Sequence, residues 1–249
     1  MLPYAQSADA SSAADSAPPI VRVAALEALP FLNHGFSTRA CGNQATRYGS
    51  PAEVANARRN FAELVGINSQ RVAHFALTHS SRVGLVSEAD AVAIDETPYR
   101  ISIRGLLSDA GPRDLSFTNV QGVPNQQGVD CLITTTPGVG LFMVVGDAAP
   151  VILADRHGKV VALAQSVTWG QVVSETFFNE YGPHGPGIVV RNEQYFFDLP
   201  AAITDVLRRE GLLPSMIHSM NMCTACPNTP FFSHHAGVAG RFGALVALK

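Results

Sequence analysis

Cys223-Thr-Ala-Cys226 places two thiols three residues apart. A structural zinc site needs a second such pair, which this chain lacks, so a metal here would have to recruit the nearby His234-His235. The alternative is two ordinary thiols, of which Cys223 becomes a nucleophile only if its pKa is lowered. His79 stands between hydroxyl residues in Thr78-His79-Ser80, where one strand-like run gives way to the next. An imidazole so presented is either structural or an acid/base group near neutral pH. Asp147 lies in VVGDAAPVILAD, in the most apolar part of the chain. An ionised carboxylate is costly to bury without an Arg, a cluster of backbone N–H groups or a ligand. Gly146 and Pro150 predict a bend that points Asp147 toward a cavity; the competing reading is a turn-capping carboxylate, or one paired with Arg39 or Arg241. Gly-rich phosphate loops, H-E-x-x-H pairs and G-x-S-x-G elbows are absent.

These residues need a scaffold, and the chain is long enough to build one. Its 249 residues are 47% hydrophobic and 15% charged, the composition of a globular domain with a large core. A formal charge of -3 gives no broad electrostatic reason for nucleic acid or an anionic membrane as partner. Four cysteines are too few for a disulfide framework, so a reducing cytoplasm is the expected setting. The opening MLPYAQSADASSAADSAPP has neither a basic region nor an apolar core of a signal peptide. Its composition predicts a disordered tail over residues 1–18, followed by one domain over 19–249.

Ile20 to Leu26 reads as a strand. The segment from Ser50 has Ser as N-cap, Pro51 at the first helical position and Glu53 in the first turn, and it closes at Gly66, which predicts a helix. RVAHFAL and GLVSEADAVAI read as strands on either side of His79. From Asp130 to Ala164 strand follows strand: DCLITTT, LFMVVGDAAPVILAD and VVALAQSV, apolar on both faces and joined by the turns PGVG and RHGK. TWGQVVSETFFNEYG and ITDVLRREGLL read as helices. Short strands with few helices predict an α+β domain with mixed β-sheets flanked by helices.

Several fragments line up in one order: HGFSTR from His34 to Arg39, Asn56, Thr78-His79-Ser80, Gly146-Asp147-Ala148-Ala149-Pro150, Gln165, Cys223-Thr224, Phe231-Phe232-Ser233 and Gly240-Arg241. Together they resemble the laccase-domain family of YfiH type, whose members are labelled multicopper polyphenol oxidase, peptidoglycan editing factor, or purine nucleoside phosphorylase and adenosine deaminase. The resemblance runs from about residue 20 to the C-terminus. It implies a zinc held by a His, a Cys and a second His for chemistry on nucleosides. The first His matches His79. The Cys position is Ala148 and the second His position is Gln165, while the family's Trp-Arg appears as Thr168-Trp169. The family's later Gly-Pro-x-Ile-Gly-Pro-Cys loop survives as Gly182-Pro183-His184-Gly185-Pro186-Gly187, without its cysteine.

A methyl cannot ligate, and a carboxamide is a poor zinc ligand beside imidazole or thiolate. The expectation is therefore a degenerate zinc site and no cofactor, with zinc rebuilt from Cys131, His184 or Cys223 as the lesser alternative. The remaining polar groups imply a metal-independent enzyme that acts on a small, ring-containing molecule, with His79, Asp147 and Cys223 as catalytic candidates. Ser37, Arg39, Gln165, Trp169 and His184 are the candidates for holding that substrate, with Arg39 suited to an anionic group. The alternatives are zinc-dependent purine nucleoside chemistry with rebuilt ligands, or a catalytically silent binding protein. No partner is predicted other than the small molecule, and the sequence leaves the oligomeric state open.

Overall fold

In the computed structural model, residues 17–74, 83–95, 101–104, 106–107, 114–117, 129–166, 179, 182, 185–191 and 194–249 are described. The chain enters through β1 (Ile20–Val21), a single helical turn α1 (Ala24–Glu27) and β2 (Leu32–Ser37). The run predicted as one strand is thus split. Its second half, rich in the helix-formers Ala and Leu, winds into α1, and Val23 N–H donates to the imidazole Nε2 of His34.

Helix α2 (Pro51–Val65) follows, as predicted. The Ser50 hydroxyl accepts the N–H of Glu53 while the Glu53 carboxylate accepts the N–H of Ser50, a complete capping box. Gly66 closes the helix at φ 81°, a left-handed conformation that costs a glycine nothing sterically. Next come β3 (Val72–His74), β4 (Val83–Val86), β5 (Ile101–Arg104), β6 (Leu106–Leu107) and β7 (Asp114–Phe117). The run after β4, expected to continue as strand, turns instead into a short 3-10 helix at Glu88–Asp90, where the Asp90 carboxylate accepts from Ser87. The central strands are β8 (Cys131–Thr134), β9 (Gly140–Val145), β10 (Pro150–Ala154) and β11 (Val161–Gln165). A hairpin of β12 (Ile188–Arg191) and β13 (Gln194–Phe197), helix α3 (Leu199–Arg209) and β14 (Phe242–Leu248) complete the chain.

Ten strands form two mixed five-stranded sheets, ordered β1-β2-β14-β9-β3 and β10-β11-β8-β4-β6, and β12-β13 and β5-β7 form two two-stranded sheets. The first is antiparallel except at β3 against β9, and the second is antiparallel except at β4 against β8. Alternation along β9 and β14 builds two cores at once. Leu141, Met143, Val145, Phe242, Ala244 and Val246 face the second sheet, where Leu132 and Leu163 meet them. Phe142, Leu245 and Ala247 face the other way, onto Phe61, Ala62 and Val65 of α2. The first sheet is therefore the middle layer, covered by α2 on one face and by the second sheet on the other. This is the α+β single-domain architecture with mixed sheets that the sequence predicts. Among the described residues no helix is long and apolar enough to cross a membrane.

Candidate functional site

Strand β9 leaves the first sheet at Val145, and β10 begins the edge of the second at Pro150. The four residues between them must carry the chain from one sheet to the other. Gly146 lies so close under Arg241 that a Cβ there would run into the arginine side chain, whose guanidinium sits 4.7 Å from the Tyr48 ring centroid. Asp147 takes φ 63°, a left-handed conformation that Asp tolerates better than most residues. The loop is then tied to the end of β11: Ala149 N–H donates to the Ser166 hydroxyl at 3.0 Å, and Ser166 N–H donates to the Ala149 carbonyl at 3.0 Å.

The carboxylate of Asp147 turns toward the C-terminal segment. Its Oδ1 accepts from the hydroxyls of Thr224, at 2.8 Å, and Ser233, at 2.5 Å. Its Oδ2 accepts from the backbone N–H groups of His234, at 2.7 Å, and His235, at 3.2 Å. Burial by itself would raise the pKa of this group. The hydrogen bonds from Ser233, Thr224, His235 and His234 outweigh burial and hold it below the ordinary carboxylate value. The partner of Asp147 is thus a cluster of donors and neither Arg39 nor Arg241. A carboxylate with four donors already bound and a lowered pKa is held ionised, and in this arrangement it anchors the C-terminal segment to the loop.

Beside this anchor lies a cavity of about 650 Å³. The loop Asp147–Pro150 and strand β10 form one wall, Ile203 and Leu207 of α3 another, and the segment from Met216 to Thr224 a third. Its lining is mostly apolar, and Met216, Met220 and Met222 supply flexible, polarizable contacts. Sequence reading missed the cavity-lining methionines and α3 residues, and it missed Thr224 and Ser233 as the donors to Asp147. Two signals bore on the last pair: a carboxylate in apolar surroundings requires donors, and Cys223-Thr224 and Phe231-Phe232-Ser233 stand among the fragments of the family resemblance, but neither says that they meet Asp147.

Of the predicted site residues that are described, Asp147 and Cys223 come together at the cavity, whereas Ser37, Arg39 and Gln165 lie outside its lining. Ala148 lines the cavity as well. Cys223 is joined to Cys226 by a disulfide, so in this state it has no thiolate, and the pairing replaces the two free thiols that the sequence suggests. Ser37 is fully buried, and its hydroxyl accepts the N–H of Gly243 at 2.8 Å. It is spent on the strand pair β2–β14 and cannot reach a substrate, which corrects its assignment. Arg39 donates through Nη2 to the Thr229 carbonyl at 2.8 Å, linking the end of β2 to the C-terminal segment, and lies outside the cavity lining. Gln165 stands at the end of β11 opposite Pro150 and donates through Nε2 to the Asp130 carboxylate at 2.8 Å. His79, Trp169 and His184 lie outside the described residues, as do most of the predicted helix TWGQVVSETFFNEYG and residues 1–16 of the predicted tail.

With fold and site in place, comparison with known proteins gives the class. The sequence model of the family described as Multi-copper polyphenol oxidoreductase laccase matches residues 33–172 and 165–249, and the chain belongs to that family. A purine nucleoside phosphorylase of Corynebacterium glutamicum is 25% identical over 147 residues, covering 54% of this chain and 47% of the relative. A purine nucleoside phosphorylase of Mycobacterium tuberculosis H37Rv is 25% identical over 202 residues, covering 76% of this chain and 64% of the relative. The matches thus span about half to two-thirds of the length of these curated relatives. The fold is similar to the crystal structure of YlmD from Geobacillus stearothermophilus, with TM-score 0.72 and 19% identity over 94% of this chain and 97% of the other. It is also similar to YfiH of Bacillus licheniformis, with TM-score 0.71 and 17% identity over 94% of this chain and 98% of the other.

The zinc that the family resemblance implies can be tested against two of its three ligand positions. Ala148 is buried in the core between the sheets and offers only a methyl group. The amide nitrogen of Gln165 is already donated to Asp130. Neither residue fits a zinc ligand, and the described side chains do not reconstitute the set.

Proposed function

We propose that this laccase-domain protein binds a small, largely apolar, ring-containing molecule in the cavity beside Asp147 without zinc. The purine nucleoside chemistry named for its relatives is then weak or absent. The observation that carries this reading is the pairing of Gln165 with Asp130, next to a loop in which Ala148 occupies the thiolate position. The carboxamide of Gln165 is committed to Asp130 outside the cavity lining, and Ala148, which does line the cavity, adds only a methyl group to its wall. The lining suits an aromatic ring against methionine and branched aliphatic side chains.

Zinc in a site of this family would supply a Lewis acid and a water of lowered pKa. Without it, His79 is the remaining acid/base candidate. Turnover of a ring-containing substrate through His79 is the second reading, supported by the enzymatic names of the curated relatives.

Elemental analysis of the purified protein, together with chromatography of inosine and adenosine incubated with it and phosphate, tests the proposal. The expected result is zinc well below one per chain and no base release. Stoichiometric zinc accompanied by nucleoside cleavage overturns it. A thermal-shift screen of aromatic compounds then identifies a ligand, and His79→Ala separates the two readings: unchanged binding without turnover favours the binder, and lost turnover favours the enzyme.

A further inference from the structure

The disulfide between Cys223 and Cys226 encloses Thr224 and Ala225, with 5.5 Å between the cysteine Cα atoms. Both cysteines are exposed, so an attacking thiolate can reach either sulfur. The other two are differently placed. Cys41 is buried and Cys131 half-buried, and burial pushes each thiol up to about 11, which leaves both poorly reactive. The enclosed Thr224 donates to the Asp147 carboxylate, and Cys223 and Thr224 both line the cavity rim.

We infer that Cys223–Cys226 is a reversible thiol–disulfide exchange site, reduced by a dithiol, that controls how firmly Thr224 and the cavity rim are held against Asp147. One thiolate of the dithiol attacks a protein sulfur, breaking the S–S bond and forming a mixed disulfide. Its second thiolate then displaces that sulfur. Two electrons and two protons pass to the protein, which leaves with two thiols, and the reductant leaves as its own disulfide. The closed ring limits the conformations open to Thr224 and keeps its hydroxyl aimed at Asp147. Opening the ring restores that freedom and weakens the contact.

The test equilibrates the full chain in buffers of reduced and oxidised dithiothreitol, then alkylates with iodoacetamide and maps the adducts by mass spectrometry. Adducts on Cys223 and Cys226 are expected in the reducing buffer and none in the oxidising one, with Cys41 and Cys131 unmodified in both. In parallel, 8-anilinonaphthalene-1-sulfonate is titrated into each form to probe the cavity. Loss of one charge-assisted hydrogen bond at the rim changes its affinity by about tenfold. Cys226→Ser gives the reduced-form affinity in either buffer, and Thr224→Val gives it in the oxidised protein while leaving the alkylation pattern unchanged. Alkylation of Cys223 and Cys226 in both buffers overturns the exchange site. Equal dye affinity in the two forms, or no dye binding in either, overturns its link to the cavity. The alkylation pattern depends neither on zinc or turnover nor on binding in the cavity, so failure of the functional proposal is seen separately.

Discussion

Asp147 carries more of the local architecture than any other side chain in the site, because its two oxygens gather donors from Thr224, Ser233, His234 and His235. Asp147→Ala would leave those donors facing a gap, and a loss of roughly 3 kcal/mol is expected, read as a lowered midpoint in urea unfolding. Asp147→Asn keeps the shape but turns an amide donor toward other donors, so it is expected to recover only part of that loss. His34 predicts a pH dependence. Its imidazole is buried and accepts the Val23 N–H at 2.9 Å; burial first, then the Arg22 charge, lowers its pKa to about 4 against the opposing pull of Glu27. The unfolded chain binds a proton on this group between about 6.5 and 4, and the folded chain does not. Its contribution is therefore complete above about 6.5 and fades as pH falls toward 4, amounting to roughly 2 kcal/mol after solvent screening. Unfolding midpoints of His34→Gln, which cannot titrate, should fall less steeply than wild type across that window.

Among the secondary-structure elements, α2 was readable because its signals are local. Ser50, Pro51, Glu53 and Gly66 lie at the helix ends, and each acts through neighbours three or four residues away. Ser50→Ala removes the cap and is expected to cost about 1 kcal/mol. Phe61→Ala, by contrast, empties a fully buried site against Phe142 and should cost about 4 kcal/mol, a difference that equilibrium unfolding separates readily. The run Ile20–Leu26 misled because its apolar residues suit a strand and a helix equally. Only pairing of Ile20 with Ser37 and Val21 with Phe36 fixes where strand ends and helix begins.

For the molecule as a whole, β14 is the keystone. It lies between β2 and β9 in the middle sheet, and all seven of its residues are buried. The sequence reading assigned no strand there, because nothing local says that FGALVAL is flanked on both edges and covered on both faces. Removing residues 242–249 strips β2 and β9 of their shared neighbour and opens both cores. Loss of cooperative thermal unfolding by circular dichroism is the expected outcome, whereas trimming Lys249 alone should change little.

What residue order alone settled was the mixed α+β class, the capped helix, the central strands and the family resemblance, since periodicity, caps and short motifs act between near neighbours in the chain. Through that resemblance it also showed Ala148 and Gln165 at two positions where the resemblance implies zinc ligands, identities that need no coordinates to read. The partner of Asp147, the disulfide across Thr224, the loss of Ser37 to the β2–β14 pairing and the wall contributed by α3 were decided by packing. Each joins residues that lie far apart along the chain, or makes a bond whose formation depends on backbone geometry. Asp147 and Thr224, 77 positions apart in the chain, are brought together by the sheet-to-sheet crossing at Gly146 and the return of the C-terminal segment beside it.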